Sequence, residues 1–318
     1  MKARGGRALK LTVLSESGVA LIVALLITAI LVTVVTEAVY AVHRFTSMTE
    51  LYRDSERAST LAEVGVEIES ALLREIAQED KNVFLSAEDR ERSFTEDGAE
   101  VTLSVVGEQG KISLNHIVTA GGKINKEGFE RLVGLLEALA LSEELAYALA
   151  DWVDADSKGR SWGAESGYYE DREPGYRIKN GPLSSIEELL LVKGFDFETF
   201  TKLRPYVTVY TDGIININGA APMAIMSLDS EISEDMANAV VSRREDRPFK
   251  STAEVREISG FGILEVGFEK KIRTSGSIFR VESSAKVGES IREVEAVIKL
   301  DGKGRGSTSV KTLYWRER

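Results

Sequence analysis

Gly18-Val-Ala-Leu-Ile-Val-Ala-Leu-Leu-Ile-Thr-Ala-Ile-Leu-Val-Thr-Val-Val-Thr-Glu-Ala-Val-Tyr-Ala-Val42 is the stretch around which the chain is organised. From Val19 to Thr36 it holds eighteen residues without a charge, a proline or a glycine. At the α-helical rise this run is roughly 27 Å long, close to the hydrocarbon thickness of a bilayer. In lipid its backbone groups are satisfied only as a helix. Ahead of it lie Lys2, Arg4, Arg7 and Lys10, with Glu16 as the acid. The excess of positive charge predicts that this end stays in the cytoplasm and that the rest crosses.

A secretory signal has a shorter apolar region followed by a small-residue cleavage site. Here the small residue, Gly18, precedes the apolar run, so a cut between Gly18 and Val19 would remove a basic leader and keep the helix. On its own, the segment serves equally as a single-pass signal anchor with a chance glycine. Ser15-Glu-Ser-Gly-Val-Ala-Leu-Ile-Val-Ala-Leu-Leu26 resembles the processing site of type IV pilin-like precursors. The resemblance makes Val19 the mature N-terminus. The fifth mature residue, an acid in most such proteins, is Val23, and this departure resembles the K-type minor pseudopilins of the type II secretion system.

The chain has 318 residues, 43% of them hydrophobic, enough for two compact domains beyond the anchor. It has no cysteine, so disulfides and thiolate metal sites are excluded, and two histidines, His43 and His116, exclude a histidine-rich zinc centre. The net charge of -11 becomes -14 once a leader of net +3 is removed, which disfavours a nucleic-acid partner.

Beyond the apolar run, Met48, Leu51, Leu61, Val64, Ile68, Leu72 and Ile76 recur at helical spacing, predicting one helix from about Val19 to Gln78, with Gly65 a weak point. Ala99-Glu-Val-Thr-Leu-Ser-Val-Val106 alternates apolar and polar residues. The turn Gly107-Glu-Gln-Gly110 then predicts a hairpin with Lys111-Ile-Ser-Leu-Asn115. Strand character returns in residues 277–283, 293–300 and 309–315, and residues 125–273 read as helical. The expected fold is α+β: a long pilin-like helix packed on an antiparallel sheet built from both ends of the chain, with an all-α domain inserted. The corresponding segments are a leader (1–18), the transmembrane part of the helix (19–42), the remaining helix and first strands (43–115), the insert (116–273, with an acidic loop at 151–173) and the closing strands (274–318).

The insert contains an echo. Pro182-Leu-Ser-Ser-Ile-Glu-Glu-Leu-Leu-Leu-Val-Lys-Gly194 and Pro248-Phe-Lys-Ser-Thr-Ala-Glu-Val-Arg-Glu-Ile-Ser-Gly260 share six positions, including a Ser-x-x-Glu capping box and a terminating glycine. Ile112-Ser-Leu-Asn115 and Ile215-Asn-Ile-Asn218 precede the copies at different distances, which predicts a duplicated module of SAM-like or helix-hairpin-helix-like type. Helix-hairpin-helix modules bind DNA phosphates. Here the turns Val192-Lys-Gly-Phe-Asp-Phe197 and Ile258-Ser-Gly-Phe-Gly-Ile263 are mostly apolar, and they read as packing or protein-contact units.

Chemistry concentrates between Asp151 and Glu173, where Asp151, Asp154, Asp156, Glu165, Glu170, Asp171 and Glu173 place seven acids within twenty-three residues. Counted from Asp154, acids at positions one, three and twelve and a glycine at six resemble an EF-hand loop. Lys158 stands where an oxygen ligand belongs, and no second helix pattern follows, so this is not a true EF-hand. The residues alone leave both a calcium site and a solvated acidic loop open. Asp151-Trp-Val-Asp-Ala-Asp156, Gly163-Ala-Glu165, Tyr176-x3-Asn180-x-Pro182-Leu-Ser-Ser185 and Glu188-Leu189 resemble the K-type minor pseudopilin pattern, which implies a structural calcium ion. Asp154, Asp156 and Glu165 are its first candidate ligands, followed by Asp151, Glu170 and Asp171. Trp152, Trp162, Tyr168 and Tyr169 read as residues wrapping that loop rather than a sugar platform.

No catalytic residues emerge: His43 and His116 lack a triad context, and Gly121-Gly-Lys and Gly302-Lys-Gly-Arg-Gly lack phosphate-loop spacing. Taken together, the resemblance implies a non-enzymatic subunit processed and methylated by prepilin peptidase. It is held in the bacterial inner membrane by a single pass, with its C-terminal domain periplasmic. It also implies a place at the pseudopilus tip with the I- and J-type minor pseudopilins, where the complex starts assembly. The remaining implied contacts are the major pseudopilin, the inner-membrane secretion platform, and the outer-membrane secretin or cargo. The alternatives are a minor pilin of a type IV pilus or competence system, and a calcium-binding envelope enzyme.

Overall fold

A computed structural model describes residues 16–79, 91–119, 121–302 and 308–318. The chain divides into two compact units, 1–56 and 57–318. The expected leader falls almost wholly outside the described residues.

Helix α1 (Glu16–Glu79) is a single element of 64 residues. In the first unit its apolar side chains are exposed among the described residues, Val19 at 50% and Val23 at 49%. Thr28, Thr33, Thr36, Thr46 and Thr49 each donate the hydroxyl proton to the carbonyl four residues earlier. The threonines of the apolar run are therefore satisfied within the helix, as its backbone is, a condition for lying in lipid. It is the helix long and apolar enough to cross a membrane among the described residues.

In the second unit, α1 turns one stripe inward. Ala58, Ala62, Val66, Glu69 and Leu73, spaced by three or four, are buried against a sheet. Gly65 belongs to that stripe and does not interrupt the helix. A β-carbon there would come within 2.3 Å of Ser283 Oγ and 2.7 Å of Leu103 Cδ2. The residue that weakens helix propensity is the one that lets helix and sheet meet closely.

The sheet contains β1 (Glu91–Glu96), β2 (Ala99–Gly107), β7 (Ile278–Val287), β8 (Ser290–Gly302) and β9 (Thr308–Glu317), antiparallel and in the order β1-β2-β7-β8-β9. Val101, Leu103 and Val105 join Phe279, Val281 and Ala285, with Val294, Ala296, Ile298 and Leu300, in the core under α1. Strands β2 and β7 pair from Ala99 opposite Val287 to Gly107 opposite Phe279. Chain leaves the sheet at Gly107 and returns at Ile278 on adjacent strands, the geometry that lets a domain be inserted without disturbing its host.

The expected hairpin between residues 99–106 and 111–115 does not form. Strand β2 pairs with β1 and β7 instead, and β3 (Ile112–Ser113) pairs in parallel with β4 (Val207–Thr208). Ile112 is therefore part of the helical domain, whose core runs from Ile112 to Ile272. A 3₁₀ turn at Glu108–Gly110 carries the chain across. There Gln109 Oε1 accepts from the backbone amides of Ser277 (2.5 Å) and Ile278 (3.2 Å), tying the outgoing segment to the returning one.

The helical domain is two copies of one plan. In the first, β3 leads through α2 (Lys126–Ala138) and α3 (Glu144–Val153) to a 3₁₀ helix at Ile186–Leu191, then α5 (Phe197–Leu203) and β4. In the second, β5 (Ile215–Asn216) leads through α6 (Pro222–Met226) and α7 (Glu234–Asp246) to a 3₁₀ helix at Thr252–Glu257. The copy closes with β6 (Ile272–Arg273), parallel to β5. The asparagines flagged in the sequence occupy equivalent places. Asn115 donates to the carbonyls of Leu183 and Val209 and accepts from Leu183 N, at 2.9, 2.9 and 2.7 Å. Asn218 does the same with Phe249, Thr274 and Phe249 N, at 2.9, 2.7 and 2.9 Å. The glycines ending the two 3₁₀ segments, Gly194 and Gly260, share a left-handed φ of 85° and 92°.

One expected cap is absent. Ser251 and Glu254 form a full capping box, whereas the Ser185 side chain makes no cap bond. Glu188 instead accepts from Ser184 N and from Lys179 Nζ. The copies differ in length most at one place: Arg247 alone joins α7 to Pro248, but residues 154–181 separate α3 from Pro182. That insertion is the acidic loop.

Candidate metal centre

Helix α3 delivers the loop's first acids. Its last turn buries Asp151 completely, and Asp154, at 1% exposure, caps its C-terminus in extended conformation. The backbone then makes two side-chain-stabilised turns, with Asp156 N donating to Asp154 Oδ1 at 3.3 Å and Lys158 N to Asp156 Oδ1 at 2.8 Å. The loop folds back at Gly163, where a β-carbon would lie 1.9 Å from Asp151 Oδ2. Any side chain there would displace the carboxylate. Glu165 then precedes the short helix α4 (Ser166–Glu170).

Aromatic packing and one lysine hold this path. Trp152 and Tyr169 are buried, with ring centroids 5.0 Å apart, and Tyr176 lies 6.3 Å from Trp152. Two of the four aromatic candidates are thus loop core, while Trp162 and Tyr168 stay exposed. Lys193, from the turn after the first 3₁₀ segment, donates to the carbonyls of Trp162 (3.2 Å) and Gly163 (2.9 Å) and lies over the Tyr168 ring.

Asp154, Asp156 and Glu165 converge, each offering an oxygen within 4.8 Å of the other two. Asp151 lies beside them but is engaged by Arg160, through the backbone amide at 3.0 Å and the guanidinium at 2.6 Å. Glu170 and Asp171 are exposed and fall outside the trio. Both Glu165 carboxylate oxygens are buried without a hydrogen-bond partner, as is Asn180 Oδ1, while Asn180 Nδ2 donates to the carbonyl of Asp156. Sequence reasoning placed Asn180 in a motif but gave it no role.

Burial, with the nearby charges of Asp151, Asp154 and Asp156, pushes the Glu165 carboxyl up to about 7. Three carboxylates this close and an unpartnered Glu165 form a site that calls for a hard cation or a proton. The sign of the pH dependence follows. Folded Glu165 holds its proton more tightly than the unfolded chain does, so its contribution to stability is complete below about 4.5 and is lost as pH rises through about 7. In cation-free buffer, Glu165→Gln is expected to raise the melting temperature at pH 8 and leave it nearly unchanged at pH 4.5. An equal effect at both pH values would contradict this.

The profile of a protein family described as type II secretion system (T2SS), protein K, matches residues 110–212, the first copy of the duplicated plan together with its acidic loop. Type II secretion system protein K of Klebsiella pneumoniae is 29% identical over 213 residues, covering 64% of this chain and 65% of that protein. The protein of the same name from Pectobacterium carotovorum subsp. carotovorum is 28% identical over 181 residues, 54% of each chain. The chain is similar to the protein K family of the type II secretion system, through residues 110–212. It spans a little under two-thirds of the length of the first of these relatives and about half of the second.

A protein K fold is also the one found by structural comparison. A chain of the crystal structure of the GspK-GspI-GspJ complex from the enterotoxigenic Escherichia coli type 2 secretion system superposes with a TM-score of 0.67. The match covers 86% of this chain and 99% of that one at 18% identity, a likeness of fold. The second copy, from β5 to β6, lies outside the family profile although it repeats the Asn clamp and parallel strand pair of the first.

Proposed function

We propose that this protein is a minor pseudopilin of a type II secretion system. Prepilin peptidase removes the leader between Gly18 and Val19 and methylates the new N-terminus. The apolar half of α1 anchors the subunit in the inner membrane, with the sheet and helical domains in the periplasm. The subunit then caps the pseudopilus with the I- and J-type minor pseudopilins, starting assembly and supporting export across the outer membrane. The observation that carries this reading is the pairing of an unpartnered lipid-length helix with a protein K fold whose solved relative was crystallised with GspI and GspJ.

Val23 supports the tip position. An acid at that place in lipid needs a compensating charge, which in a filament the terminal amine of the next subunit supplies. A subunit with nothing above it lacks that partner, and valine removes the need. The bulk of the inserted domain likewise suits a cap better than a repeating shaft.

Asp154, Asp156 and Glu165 are the proposed calcium ligands, with oxygen donors from the loop backbone or Asn180 completing the shell. The fit rests on the unpartnered Glu165 oxygens. A bound calcium ion would supply charge neutralisation and fix the loop by coordination rather than take part in a reaction. Co-expression with I- and J-type pseudopilins and, separately, with type IV minor pilins tests the assignment. Recovery of a stoichiometric complex with the pseudopilins is expected. Recovery with the pilus subunits instead would overturn it.

A further inference from the structure

The acidic loop has two unlike halves. On one side Asp154, Asp156 and Glu165 face each other, with the Glu165 oxygens unpartnered. On the other, Asp151 and Asp154, the two most buried acids of the loop, close on Arg160. The guanidinium bonds to Asp151 Oδ1 at 2.6 Å and to Asp154 Oδ2, and reaches the carbonyl of Gly122 at 3.1 Å, while the backbone amide of Arg160 holds Asp151 Oδ2 at 3.0 Å. A positive group therefore sits among two carboxylates and a carbonyl, an oxygen set of the kind a hard divalent cation takes.

We infer that Arg160 is a built-in counter-cation, filling the Asp151–Asp154 half of the loop so that the protein takes up one divalent ion, on the Glu165 side, and keeps that half folded without metal. This rests on the calcium reading of the loop. Asp154 is shared between the halves, one oxygen on Arg160 and one toward Asp156. The fixed charge of Arg160 thus opposes an ion on the Glu165 side while stopping Asp151 and Asp154 from repelling each other when no ion is present. A planar guanidinium that stays charged at every relevant pH suits this role, and it cannot be displaced by protonation changes.

Calorimetric titration of the full chain in detergent micelles with calcium chloride at pH 8, paired with metal-free melting, tests the inference on wild type, Arg160→Gln and Arg160→Lys. Wild type is expected to take one ion. Arg160→Gln is expected to take a further ion or to bind about tenfold or more tightly, and its metal-free melting temperature should fall and recover with calcium. Arg160→Lys, which keeps the charge, should stay at one ion. Unchanged stoichiometry and affinity in Arg160→Gln, with wild type binding, would overturn the role of Arg160 and leave the calcium reading standing. No uptake by any of the three would overturn both. Uptake by Arg160→Gln alone would overturn the one-ion inference, because Arg160 would then exclude the ion from both halves. A lysine variant that gains an ion as the glutamine variant does would count against charge as the cause.

Discussion

Replacing Arg280 by methionine is expected to lower the stability of the sheet and helical domains by about 3–5 kcal/mol, roughly 10 °C in melting temperature. Arg280, on β7, is 5% exposed. It donates to Glu108 at 2.9 Å and to Glu295 of β8, which are themselves 0% and 5% exposed. Glu108 in turn accepts from Thr208 on β4 and from Lys111 at 2.8 Å. Burial alone would raise the Glu108 carboxyl, but the charges of Lys111 and Arg280 outweigh it and hold it below its ordinary value. The network lies where the inserted domain leaves the sheet, so the variant would take the shared cation from two buried carboxylates at the junction, leaving Glu108 to Lys111 and Glu295 to the half-exposed Arg318. Adding Glu108→Leu and Glu295→Leu should recover much of the loss, because replacing a whole buried ionic group with apolar residues costs far less than breaking it. A melting temperature for Arg280→Met within 2 °C of wild type would show that the network contributes little.

The second large effect is expected at the asparagine clamps. Asn218→Leu keeps the volume but leaves Phe249 N and the carbonyls of Phe249 and Thr274 without their partner, each a loss of about 1–3 kcal/mol where buried. A total near 3 kcal/mol or more is expected by chemical denaturation. Asn115→Leu should also destabilise, but less, because its three bonds are only partly buried. Finding Asn115 costly and Asn218 neutral would contradict the equivalence of the two copies.

How far the sequence revealed this molecule depends on how local each signal is. The apolar run from Val19 to Thr36 needs no partner to be recognised, and the box at Ser251 and Glu254 is complete within four residues. The stripe Ala58, Ala62, Val66 and Leu73 follows helical spacing, and β2 alternates as a strand with one buried face does. The missed features are non-local. Ile112–Ser113 looks like the second arm of a hairpin because a turn precedes it, but its partner is Val207–Thr208, nearly a hundred residues on. Glu91–Glu96 has six exposed side chains and so carries no burial alternation. In the acidic loop, spacing singled out Asp154, Asp156 and Glu165, which the fold brings within 4.8 Å of one another. It said nothing of Arg160, whose role depends on the loop folding back at Gly163, nor of Asn180, which arrives from the segment leading to Pro182. Glu170 and Asp171 read as ligands by proximity in sequence, yet the short helix α4 carries them to exposed positions.

The most direct test of the tip assignment uses the absence of cysteine. Val266→Cys would place a single thiol at a fully exposed position of the helical domain. Gold-labelled and incorporated into assembled pseudopili, it can be located by electron microscopy. The account predicts one label at one end of each filament. Labels repeated along the shaft, or filaments without any, would contradict it.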